Sequence, residues 1–93
     1  MMLSFEWDSK KAHNNVQKHS VSFDEACTVF ADTLSLTIHD PLHSIQEDRF
    51  TIIGASCNNR ILTIVHTVRK SSIRIITARK ATKKERLYYE KDA

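Results

Sequence analysis

Arginine is the residue whose placement in this chain points most directly to chemistry. Arg49 opens a segment rich in Ile and Thr just after Glu47, Arg69 closes the next such segment, and Arg74 and Arg79 lie within the last, followed by Lys80. A guanidinium keeps its charge at neutral pH and offers planar paired donors, so several on one surface would grip a phosphate through two oxygens at a time. The competing reading is a Glu47–Arg49 salt bridge with the other arginines solvated. His19 follows Lys18 at the end of a predicted helix, where the helix dipole favours the imidazolium; it can act as a general acid or base, or simply cap the helix.

Other reactive side chains have structural explanations. His66 lies inside an apolar run and reads as a hydrogen-bonded core histidine. His39 and His43 flank Asp40 in a loop, but their spacing supplies no third ligand or Cys pair, so no metal is predicted. Tyr88 and Tyr89 can stack on bases or offer a phenol, with core packing expected for at least one. Glu85 completes a capping box with Thr82. No paired carboxylates, Ser-His-Asp set or Cys-His pair stands out. Gly54 is the single glycine, which excludes phosphate loops and dinucleotide fingerprints, since both need at least two.

With 93 residues, the chain makes one domain, 1–93, with one core. Cys27 and Cys57 cannot form a disulfide framework and read as reduced, mostly buried residues. No apolar run approaches a membrane span and no secretory signal opens the chain, so a cytosolic protein is expected. Charge is divided unevenly. Residues 1–46 hold 3 Lys/Arg against 6 Asp/Glu, whereas residues 47–93 hold 11 against 5, within an overall charge of +3. A basic half on a small domain suits a polyanionic partner, nucleic acid first.

The elements that must position these residues are legible from spacing. After an apolar opening over residues 1–7, Asp8 caps a helix running to His19, with Trp7 and Ala12 as a hydrophobic staple. Ala12 and Val16 form its inner stripe; Lys11, Asn15 and Lys18 share the polar face. Ser22 and Glu25 box the start of a second helix over 23–31. Strict alternation predicts a strand over 34–38, and Asp40-Pro41 opens a loop reaching Asp48. Strands follow over 49–57, 61–69 and 73–80, joined too tightly to be anything but antiparallel. Along the last, Ile73, Ile75, Thr77 and Arg79 fall on one face and Arg74, Ile76, Ala78 and Lys80 on the other, which places cations on both. A basic helix over 83–91 closes the chain, with Leu87 and Tyr88 toward the sheet. The order ααββββα predicts an α+β fold: a curved antiparallel sheet of about four strands, helices mainly on one face, the other face open to ligand. This reading of the residues ends at a basic, sheet-based binder of RNA or DNA.

The strings FEWDSKKAHNNVQKHSVSF, EDRFTIIGAS, RILTIVHTVR and IRIITARKATKKERLYYE together resemble the BrnT family of bacterial type II toxins over nearly the whole chain. The residues that carry the resemblance are Phe5-Glu-Trp-Asp8, Lys11, Asn15, Lys18-His19, Phe23, Glu47 with Arg49, and 73–79 with Glu85, Arg86 and Tyr89. It implies a RelE-like fold and a metal-independent ribonuclease, needing no cofactor, that inhibits translation. It also implies neutralisation by a BrnA-type ribbon-helix-helix antitoxin, through which any DNA contact would be indirect. Ser20, Thr33 and Thr77 depart from the family's usual Gly, Pro and Ser; Ser20 in a left-handed helix stop would cost about 1 kcal/mol and shift His19.

Cutting RNA without a metal requires the 2′-hydroxyl to attack the adjacent phosphate, a base to take its proton, cations to stabilise the added charge and an acid to protonate the leaving oxygen. On the family reading, Arg49, Arg74 and Arg79 hold the scissile phosphate. Lys18 and His19 add charge or move protons, and Glu47 is the base or orients Arg49. Lys11, Arg69, Lys80 and Tyr88 are expected along the bound RNA. A basic toxin surface would face an acidic antitoxin segment. The alternatives are an inactive homologue serving as an antitoxin-bound co-repressor, and an RNA-binding module that does not cleave.

Overall fold

A computed structural model describes residues 3–92; Met1, Met2 and Ala93 lie outside the described residues. Its elements are β1 (Ser4–Glu6), α1 (Ser9–His19), α2 (Phe23–Thr28), β2 (Leu36–Asp40), β3 (Arg49–Ala55), β4 (Ile61–Arg69), β5 (Ser72–Lys80) and α3 (Lys83–Asp92). The sheet has five strands in the order β1-β5-β4-β3-β2. β3 to β5 form the expected antiparallel meander, β2 extends it antiparallel to β3, and β1 adds a parallel pair to β5, Phe5 opposite Ile73 and Glu6 opposite Arg74. Three residues are too few for alternation to announce a strand, so this fifth strand is absent from the sequence reading.

Asp8 caps α1, its Oδ1 accepting from the N–H groups of Lys10 at 2.8 Å and Lys11 at 3.1 Å. Ser20 ends the helix in the left-handed region at φ 59°, with its N–H on the Val16 carbonyl, so the strained stop is present. The inner stripe differs from expectation. Val16 is 45% exposed, whereas Asn15 is buried. β1 covers the outer edge of β5 only as far as Arg74, and the Asn15 amide satisfies the edge beyond it. Asn15 Nδ2 donates to the Ala78 and Val21 carbonyls at 2.7 and 2.9 Å, and its Oδ1 accepts from the Ala78 N–H at 3.2 Å.

α1 and α2 cover one face over a core of Val21, Phe23, Ala26, Val29, Ile52, Leu62, Ile64, Ile75 and Ala78. α2 ends at Thr28 and continues as a 3-10 turn over Val29–Ala31. β2 starts at Leu36 because Asp32 holds the preceding residues in a turn, Oδ1 accepting from the Leu34 N–H. β3 stops at Ala55, where Ser56 exchanges backbone bonds with the Arg60 turn. Gly54 permits close packing there, since a Cβ would lie 3.0 Å from both Ser35 Cβ and Val29 Cγ1.

The decisive departure is a bulge in β5. Val65 pairs with Thr77 but His66 pairs with Ile75, leaving Ile76 without a partner. Alternation therefore resets. Arg74 lies opposite Thr67 and Arg79 opposite Thr63, and these threonines share one side of β4. Arg74 and Arg79 thus lie on the same face, away from α1 and α2; Lys80, opposite the core residue Leu62, lies on the other. α3 packs on the arginine face and half closes it. Its buried anchor is Tyr89, whose hydroxyl donates to Asp32 at 2.7 Å, while Leu87 and Tyr88 stay more than half exposed beside the sheet.

Candidate functional site

Register brings the first cluster together. Thr67 on β4 lies between Arg49 on β3 and Arg74 on β5, and Arg69 sits two residues further on the same side. Each guanidinium meets this region from a different strand. Arg74 Nη1 reaches Glu6 Oε2 at 3.0 Å across the β1–β5 pair; Arg69 embraces Glu47 through Nε and Nη2 at 3.1 and 3.3 Å. Glu47 therefore pairs with Arg69 and not, as the salt-bridge reading had it, with Arg49. The hydrogen bonds from Arg69, with the added fields of Arg49 and Arg74, hold the Glu47 carboxyl below its ordinary pKa. Arg49 makes no side-chain bond to a described carboxylate and lines a hollow of about 330 Å³ with Leu42, His43, Ile45, Gln46 and Glu47.

Arg79 is placed apart. It meets Glu85 through Nη1 at 2.7 Å and Nη2 at 3.0 Å, and the same carboxylate accepts from Thr63 and from the Thr82 N–H. Thr82 returns the capping bond to the Glu85 N–H. This pairing holds Glu85 at a pKa of about 2. Along β5, Arg79 stands roughly 15 Å from Arg74 at ordinary strand rise.

Between them, at the β5 edge, lies a second hollow of about 240 Å³ lined by Lys11, Asn14, Asn15, Lys18, His19, Ile76 and Thr77. Lys11, Lys18 and His19 thus face the edge of the strand that carries the arginines, opening at the bulge. Lys80 is exposed beyond them. Tyr88 lines a third and larger groove of about 570 Å³ between α3 and the β2–β3 pair, with Ile38, Leu42, Ile53, Leu87 and the rim lysines Lys84 and Lys91. It sits with apolar neighbours and not with the arginines.

The remaining candidates resolve as structure. His66 is buried between Phe30, edge-on at 4.9 Å, and Phe50, stacked at 5.9 Å, and burial pushes its pKa down, but its buried Nδ1 finds no partner among the described residues, unlike the hydrogen-bonded core histidine expected. Burial pushes Cys27 up to about 11, while Cys57 is exposed, contrary to the expectation that both are buried. Among the described residues no three His, Cys, Asp or Glu side chains converge to hold a metal. Two features escaped the sequence reading. Glu25, assigned only to a capping box, is buried and gripped by Arg60, with Ser56 donating at 2.7 Å, and Arg60 also reaches the Ser20 carbonyl. The second is the pairing of His43 with Asp40 at 2.7 Å beside Arg49; the Asp40-x-x-His43 spacing in a loop was its signal.

No helix among the described residues is long and apolar enough to cross a membrane. The family model of the ribonuclease toxin BrnT, of type II toxin-antitoxin systems, matches residues 7–85. No curated protein sequence matches significantly. Among solved structures, the crystal structure of the Brucella abortus ribonuclease toxin BrnT aligns with a TM-score of 0.66 at 24% identity, covering 88% of this chain and all of that one. That likeness carries the fold, and the family match spans most of the sequence: the chain belongs to the BrnT family of ribonuclease toxins of type II toxin–antitoxin systems.

Proposed function

We propose that this protein is a metal-independent endoribonuclease that inhibits translation in the cytoplasm and is neutralised by a BrnA-type ribbon-helix-helix antitoxin. The observation that carries the reading is the convergence of Arg49, Arg69 and Arg74 around Glu47 and Glu6 on one partly exposed sheet face. Arg49 bonds no described carboxylate and is left to meet an anion, and an incoming phosphodiester can also take over donors now engaged by glutamate. Arg49 and Arg74 hold the scissile phosphate and stabilise the charge added as the 2′-oxygen attacks. Glu47, held ionised by its arginines, serves better to orient them than to accept a proton. Lys11, Lys18 and His19, along the β5 edge, extend a positive track for the flanking strand, with Lys80 at its far end. Arg79 anchors α3 through Glu85, and a phosphate role for it requires that pair to open.

The test is incubation of the purified protein with RNA in a chelator. Fragments ending in 2′,3′-cyclic phosphate are expected; intact RNA contradicts the proposal. A second reading, an antitoxin-bound co-repressor or a non-cleaving RNA binder, draws support from the carboxylate partners of Arg69, Arg74 and Arg79. Growth arrest on expression without antitoxin separates it from a nuclease.

A further inference from the structure

β2 ends at Asp40, directly opposite Arg49 on β3, and Pro41 then starts a 3-10 turn over Pro41–His43. At three residues per turn, residue i+3 comes back beside residue i. His43 Nδ1 accordingly lies 2.7 Å from Asp40 Oδ2. Ser44 locks the turn to the sheet, its hydroxyl donating to the Asp40 carbonyl and accepting from the Arg49 N–H at 2.9 Å. Thr67 Oγ1 fastens the other end of the loop through the Asp48 carbonyl at 2.6 Å. His43, Glu47 and Arg49 consequently line one hollow.

An ionised carboxylate only accepts, so a neutral His43 paired with it must carry its proton on Nδ1 and present the Nε2 lone pair outward. No described residue bonds that Nε2. His39 differs: its Nε2 already meets Asp48 at 3.1 Å and Ser44 at 3.4 Å, and its ring packs against Phe50.

We propose that His43 is the general base of RNA cleavage and Asp40 its positioning residue, an inference that rests on the nuclease reading above. Neutral His43 Nε2 takes the proton of the 2′-hydroxyl as its oxygen bonds to phosphorus. The bond from phosphorus to the 5′-oxygen breaks with its electron pair on that oxygen, which takes a proton from solvent water. The resulting hydroxide recovers the proton from His43, leaving a cyclic phosphate and a 5′-hydroxyl. The titratable and charged groups around the ring are Asp40 and His39 from β2, Glu47 and Asp48 from the loop and Arg49 from β3, with Lys84 and Lys91 of α3 across the adjoining groove.

The experiment is single-turnover cleavage of a short RNA across pH by the wild type, His43→Gln, Asp40→Asn and Arg49→Ala, alongside binding of an uncleavable 2′-O-methyl RNA. Wild-type cleavage should rise with pH as His43 loses its proton. His43→Gln should be about 100-fold slower or worse, lose that rise and bind the 2′-O-methyl RNA as the wild type does. Asp40→Asn should retain only part of the rate, because the His43 ring loses the carboxylate that fixes its proton on Nδ1 and its orientation; Arg49→Ala should weaken binding. His43→Gln cleavage within threefold of wild type, with the rise intact, overturns the His43 assignment while leaving the nuclease reading standing. Wild-type protein that leaves RNA intact overturns both.

Discussion

Both ends of this sheet carry arginine–glutamate pairs, but they are built differently. Near the β3–β4 turn and α3, each carboxylate meets one guanidinium and then neutral donors: Glu25 takes Arg60 and Ser56, and Glu85 takes Arg79, Thr63 and the Thr82 N–H. Those hydrogen bonds hold both carboxyls at a pKa of about 2. At the Arg74 end, Arg69 takes Glu47 and Arg74 takes Glu6, the paired side chains 27 to 48% exposed, beside an Arg49 that bonds no described carboxylate. The first arrangement ties elements together. The second leaves its carboxylates 33 and 41% exposed, against 8 and 22% in the first, so a ligand can displace them. The exposure of the carboxylates, and a guanidinium such as that of Arg49 left outside any ion pair, separate an anion site from a structural pair; the presence of an ion pair does not.

The comparison breaks most readily at Arg74. Arg74→Ala should lower RNA cleavage about 100-fold, the scale of losing one donor to a developing oxyanion, while changing stability by less than about 1 kcal/mol in thermal melts. Arg60→Ala should do the reverse. It leaves Glu25 buried without its cation, costs about 3 kcal/mol and lowers Tm by on the order of 10 °C, with cleavage by the folded fraction retained. Glu25 and Glu85 also set the acid limit. Their folded pKa values, about 2 against the ordinary 4.5, give stability present above pH 4.5 and lost as pH falls from there toward 2, measurable as a falling urea midpoint. Arg79→Ala sharpens the comparison: as an α3 anchor it should cost about 1 kcal/mol and spare cleavage, whereas a 100-fold loss would return it to the phosphate site. Ser20→Gly acts with the opposite sign on stability alone and should raise it by about 1 kcal/mol, by relieving the left-handed helix stop whose carbonyl Arg60 holds.

The sequence carried most of the fold, because its signals are local. Asp8 and Thr82 cap helices, Ile, Val and Thr enrich β3 and β4, and the short turns at Asn58-Asn59 and Lys70-Ser71 force the meander. What it hid depends on distant contacts. β1 exists only because β5 offers it an edge, and Asn15 is buried because that edge runs out at Arg74. Residue types pointed to Arg49, Arg69, Arg74 and Glu47, but alternation assigned Arg74 and Arg79 to opposite faces, since no local signal marks Ile76 as a bulge. The partners of Glu25 and Glu47 were likewise invisible, lying 35 and 22 residues away.

The central claim is that phosphate sits among the arginines of β3, β4 and β5. Its most direct test is NMR titration of the folded protein with 2′-O-methyl RNA, following the Nε–H signals of the arginines. The expected result is large, salt-sensitive shifts at Arg49, Arg69 and Arg74 with Arg60 unmoved. Shifts confined to residues elsewhere, or none at those three on saturation, would contradict it.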